Sequence, residues 1–123
     1  MIIDKALIES FVRTTERAAY GASLFKGKGD KIGADQSAVD EMRMQLNKIN
    51  MKGKIVIGEG ELDEAPMLYI GEEVGNKTGE EFDIAVDPLE GTNSTAQNLP
   101  NALSVLAVTR KGNLLHAPDT YME

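Results

Sequence analysis

Two short segments of this 123-residue chain crowd carboxylates against glycine or proline. One is Ile57-Gly58-Glu59-Gly60-Glu61, with Asp63 just after it; the other is Val86-Asp87-Pro88-Leu89-Glu90-Gly91-Thr92. Acidic side chains pushed together repel, and the cost falls only if they protonate or hold a cation. Mg²⁺ takes hard oxygen ligands, commonly carboxylates plus waters and phosphate oxygens, and Glu59, Asp87, Glu90 and the Leu89 carbonyl offer such a set. Mn²⁺ accepts the same donors. Gly91-Thr92-Asn93, opening a short helix, would aim backbone N–H groups at an anion, and phosphate binds readily in such places. Carboxylate-held metal beside an anion site describes phosphate-ester hydrolysis, with Thr92 placed to orient the water. The chain contains no Cys, and its lone His116 has no positioned Ser and acid, so a nucleophilic triad is a poor alternative.

Each element also has a plainer reading. Asp-Pro-x-x-Gly is a good β-turn and, taken alone, reads as that first. Glu59 and Glu61 between glycines read equally as solvated loop charges. Spacing alone makes Asp35 a helix cap rather than a ligand. His116 reads as a surface or strand-edge residue, and Met42, Met44 and Met67 as gap-fillers. Gly27-Lys28-Gly29 is no P-loop, and Gly58-Glu59-Gly60 lacks the third glycine of a dinucleotide fingerprint.

The elements that must position these residues are legible in outline. Leu7, Ile8, Phe11, Val12, Ala18, Ala19 and Ala22 fall at helical spacing after Asp4, a candidate N-cap, and predict a helix to about Leu24. Residues 26–35, with three glycines among charges, predict a loop. Val39, Met42, Leu46 and Ile49 predict a second helix, opened by Asp35 or Ser37 and ending near Asn50. Lys54-Ile55-Val56-Ile57 reads as a buried strand, Phe82–Asp87 as another ending at Pro88, and Leu103–Val108 as a third. Residues 62–78 fit helix or strand equally. Lys111-Gly112-Asn113 is expected to turn the chain back towards Leu114-Leu115-His116.

Composition sets outer limits. One domain, or part of one, fits the length. Thirteen Lys and Arg against twenty Asp and Glu leave a formal charge of −7, which disfavours a non-specific nucleic-acid binder. No apolar run approaches the ~20 residues of a membrane span, so no membrane role is expected, and the lack of Cys fits a reducing cytoplasm. Hydrophobic residues at 41% suffice for a packed interior.

Asp87-Pro88-Leu89-Glu90-Gly91-Thr92 resembles the Asp-Pro-hydrophobic-Asp/Glu-Gly-Thr/Ser signature of the lithium-sensitive, metal-dependent phosphatases. Gly29-Asp30-Lys31 with Ala34-Asp35, the run Ile55–Glu61 through Asp63–Glu72, and Ala117-Pro118-Asp119 with Tyr121-Met122-Glu123 are similar to class II fructose-1,6-bisphosphatases, the bacterial type. That resemblance implies an α/β fold, the layered sugar-phosphatase sandwich, here as its N-terminal portion with two leading helices and a mixed sheet. It implies Asp35 and Glu59 on one Mg²⁺ or Mn²⁺, and Asp87 and Glu90 on another. It further implies that the Glu90-Gly91-Thr92 backbone and Tyr121 hold the sugar bisphosphate, and that Asp63 and Lys31 matter for activity. Thr92, paired with Asp35, would orient the water that removes the 1-phosphate of fructose 1,6-bisphosphate, a gluconeogenic step. Family members are longer, so residues 1–123 are expected to be an N-terminal portion whose open sheet favours self-association; a homo-oligomer is expected of the full-length form. Sedoheptulose bisphosphatase activity, another small phosphate ester, or a non-catalytic metal- or phosphate-binding fragment are the competing readings.

Overall fold

The computed structural model describes residues 3–59 and 67–118. Helix α1, Lys5–Ser23, starts where expected: Asp4 caps it by accepting from the Ala6 N–H. Helix α2, Lys31–Leu46, starts earlier and ends earlier than its apolar spacing indicates. Its cap is Asp30, which accepts from the Gly33 N–H at 2.8 Å, so Asp35 and Ser37 are interior helical residues and neither is a cap. Gly33 does not break this turn; a Cβ there would meet Asp30 Oδ2 at 2.3 Å and the Phe25 ring at 2.6 Å. Tight packing, rather than freedom to turn, accounts for that glycine.

The helices run antiparallel. Arg17 pairs with Glu41 at 3.0 Å, and one turn further along α1, one turn earlier in α2, the Ser37 hydroxyl donates to the Gly21 carbonyl at 2.9 Å. Buried Phe11, Thr14, Ala18 and Ala22 of α1 follow steps of three and four, and Ala34, Ala38, Met42 and Leu46 of α2 follow steps of four.

Strands β1 (Lys52–Ile57), β2 (Glu73–Val74), β3 (Glu81–Glu90) and β4 (Leu103–Arg110) form one mixed sheet in the order β2-β1-β3-β4. β1 and β3 are parallel, and the other two pairings are antiparallel. Helix α3, Thr92–Ala96, follows β3 directly. The helices cover the sheet face that carries Ile55, Phe82, Ile84 and Val86; Phe11 meets Phe82 edge to face, with centroids 6.2 Å apart. This is the α/β arrangement expected, two leading helices on a mixed sheet. β3 does not stop at Pro88 but continues to Glu90. The stretch that fitted helix or strand contains only β2 among its described residues. After the Lys111-Gly112 turn no regular element follows through Pro118.

Ile84, fully buried on the central strand, anchors this core. Ile84→Ala should cost about 2–5 kcal/mol in urea unfolding, whereas Ile32→Ala, at an 84% exposed position of α2, should leave the midpoint nearly unchanged.

Candidate metal and phosphate site

The parallel register pairs Ile57 with Ala85, and Glu59 and Asp87 each stand two residues beyond that pair. Both acidic segments therefore leave the sheet at the same end. Each does so through an irregularity. Val56 is the extra residue where the β1–β3 register shifts between Ile55 and Ile57, and a second shift separates Asp87 from Glu90 in the pairing with β4. Pro88, which has no N–H to give a ladder, lies inside that second bulge. Bulges re-aim side chains, and the second one separates the carboxylates of Asp87 and Glu90. Asp87 and Glu59 are half-buried and Glu90 is exposed.

Gly91 then reverses the chain with φ 93° and ψ 45°, the left-handed region that a side chain disfavours, and caps α3 without a side-chain hydrogen bond. The far end of α3 is held by the loop after α1. Gly27 N–H donates to the Thr95 carbonyl and Gly29 N–H to the Ala96 carbonyl, both at 2.9 Å. The loop thus serves as a C-terminal cap for α3, and it leads straight into Asp30 and α2, which packs on α3. Half-buried Asp35 and exposed Lys31 are carried by α2, and Thr92 opens the α3 on which α2 packs.

A third segment supports Glu59. Its N–H donates to the Leu68 carbonyl at 2.8 Å, and a Cβ on Gly58 would meet that same oxygen at 2.5 Å, so only glycine permits the approach. Residues 67–72 are in turn fixed to α2. Arg43 Nε donates to Glu72 Oε2 at 2.8 Å, and its Nη2 to Glu72 Oε1 at 3.0 Å and to the Met67 carbonyl at 2.6 Å. Sequence reasoning missed Arg43 and Glu72, because partners 29 positions apart leave no local pattern. His116 is exposed, as expected, with Nδ1 3.2 Å from the carbonyl oxygen of the bulge residue Val56.

Carboxylates, a hydroxyl and a backbone carbonyl are hard oxygen donors, and Glu59 Oε2 is shut off from solvent. In donor type these residues fit Mg²⁺ or Mn²⁺. Among the described residues no three Asp, Glu or His side chains are gathered closely enough to hold an ion. Asp63 and Tyr121 lie outside the described residues. A cavity of about 240 Å³, lined by Lys52, Lys54, Lys77, Glu73 and Asp83 among others, opens at the opposite end of β1 and β3. No described helix is long and apolar enough to cross a membrane.

Residues 5–123 match the family described as "Bacterial fructose-1,6-bisphosphatase, glpX-encoded". The chain is 57% identical over 119 residues to fructose-1,6-bisphosphatase 1 class 2 of Escherichia coli K12, covering 97% of this chain and 35% of that protein. It is 54% identical over 121 residues to fructose-1,6-bisphosphatase class 2 of Haemophilus influenzae, with 98% of this chain and 36% of that protein covered. The D-fructose 1,6-bisphosphatase class 2/sedoheptulose 1,7-bisphosphatase of Synechococcus sp. CC9311 is 53% identical over 121 residues, again 98% of this chain and 36% of that protein. The chain thus spans about a third of the length of these relatives.

Burial raises the Asp35 carboxyl above its ordinary value of 3.8. A carboxyl raised in the folded state opposes folding once ionised. The penalty is absent below the ordinary range and complete above the raised value. In chelator-treated protein, Asp35→Asn should therefore raise the urea midpoint at neutral pH, and the gain should vanish as pH falls towards 3.8. A destabilised Asn variant at neutral pH would show that the ionised carboxylate is held by partners rather than penalised.

Proposed function

Because this chain belongs to the bacterial, glpX-encoded fructose-1,6-bisphosphatase family, we propose that it supplies the first part of a cytoplasmic, divalent-metal-dependent sugar-bisphosphate phosphatase. The reaction is hydrolysis of the 1-phosphate ester of fructose 1,6-bisphosphate by water. The observation that carries the reading is the delivery of Glu59 and the Asp87–Glu90 bulge to one end of the parallel β1–β3 pair, beside Gly91 and Thr92.

Asp35 and Glu59 would hold one ion, and Asp87 and Glu90 another. A bound divalent ion supplies charge neutralisation on the phosphoryl oxygens and acidifies water. The chain's own residues do the rest. Backbone N–H groups of the Glu90-Gly91-Thr92 turn bind phosphate oxygens, and the Thr92 hydroxyl, paired with Asp35, orients the attacking water. Lys31 and Asp63 contribute to activity, and Tyr121 holds the substrate. A homo-oligomer of the full-length form belongs to the same proposal. Sedoheptulose 1,7-bisphosphate is a second substrate reading, supported by the name of the Synechococcus relative.

In the full-length protein, Asp87→Ala should weaken Mn²⁺ binding at least ~10-fold and remove phosphate release; wild-type activity would reject the ligand assignment. Thr92→Ala should lower turnover by about 100-fold with Mn²⁺ affinity kept. The reverse pattern would make Thr92 a ligand rather than a water-orienting group.

A further inference from the structure

Glu59 and Asp35 sit on unconnected elements, yet in the reading above they share one ion. Something must fix their separation. Asp35 belongs to α2, and Arg43 lies eight residues further along the same helix, about 12 Å at the α-helical rise. The two arms of Arg43 end on Glu72 and on the Met67 carbonyl. Next to Met67, the Leu68 carbonyl receives the Glu59 N–H, and the backbone of the same segment is stitched to β1 by Ile55 N–H to the Glu72 carbonyl and Gly71 N–H to the Ile55 carbonyl.

The structure assigns to the Arg43–Glu72 pair the role of a gauge that sets the position of Glu59 relative to Asp35. The pair is inward: its side chains are only 25% and 10% exposed. Ion pairs withdrawn from water this far add little net stability, because desolvation offsets their attraction, but they fix geometry. Glu72 holds Arg43 firmly in its charged form, chiefly through the hydrogen bond between them. A planar guanidinium presents donors in a fixed fork that meets both carboxylate oxygens side by side and a carbonyl as well, a geometry that the single nitrogen of an ammonium lacks. Arg43 and Glu72 are therefore positioning residues, acting through Met67 and Leu68 on Glu59. The other helix-borne pair, Arg17–Glu41, joins α1 to α2 and does not reach this segment, so it provides the control.

This inference rests on the reading of Glu59 as an ion ligand, and the experiment separates the two. In the full-length protein, Arg43→Lys and Glu72→Gln are compared with Arg17→Lys by amide hydrogen exchange and by calorimetric titration with Mn²⁺ alone. The first two variants should exchange the Glu59 amide about 10-fold faster and bind Mn²⁺ about 10-fold more weakly, while Arg17→Lys matches wild type in both. Unchanged Glu59 exchange in Arg43→Lys and in Glu72→Gln overturns the gauge. So does an equal effect of Arg17→Lys, which would make it general loosening. Faster Glu59 exchange with no Mn²⁺ binding by wild type overturns the ligand reading and leaves the gauge standing. If Arg43→Lys fails to fold, Glu72→Gln, which keeps shape and one acceptor, decides.

Discussion

Parallel pairing of β1 with β3 is the constraint on which the acidic end of the molecule depends. An antiparallel arrangement would send Glu59 and Asp87 to opposite ends of the sheet; the parallel one sends both the same way. A parallel connection needs a crossover, and here the chain between the strands returns through residues 67–80, making β2 and the Leu68 support for Glu59 on its way. The ladder irregularity at Val56 precedes Glu59, and the one at Pro88-Leu89 falls between Asp87 and Glu90.

Electrostatic cost and local support run together at this end. Asp35 loses hydration inside a helix, and Glu59 has an oxygen withdrawn from water. Carboxylates are rarely placed so without a compensating charge. Backbone groups and a distant ion pair support this end: Leu68 for Glu59, the Gly27 and Gly29 amides for α3, and Arg43 for the segment that carries Leu68. Lys31, the cation nearest to Asp35 in sequence, is exposed.

Much of this was legible in the chain. Asp4 as a cap, the α1 periodicity and the β-branched run of β1 have short-range signals, and each gave an element within a residue or two of its observed bounds. The start of α2 was hidden, because Gly33 looks like a breaker and Ile32 faces solvent, whereas the Asp30 side chain and the Phe25 ring require a residue without Cβ. Pro88 reads as a strand terminator when only its missing N–H is considered, but a bulge tolerates that loss, and β3 continues. The acidic motif and Gly91-Thr92 were visible as chemistry. Arg43, Glu72 and the glycine amides that grip α3 were not, since each works through a tertiary contact with no sequence period. The roles of Asp63 and Tyr121 fall outside the described residues.

β1 has a further property. Every polypeptide group that pairs with it, in β2, in β3 and at His116, comes later in the chain. During synthesis from the N-terminus, the α1–α2 hairpin can close on itself early, but its inner side, with Phe11 and Met42, has no sheet to meet until Phe82 and Ile84 have emerged. The nascent chain therefore passes through a stage in which a helical pair with a bare apolar side and a solitary strand await their complement. That interval is when a chaperone, or a neighbouring nascent chain, has most to bind.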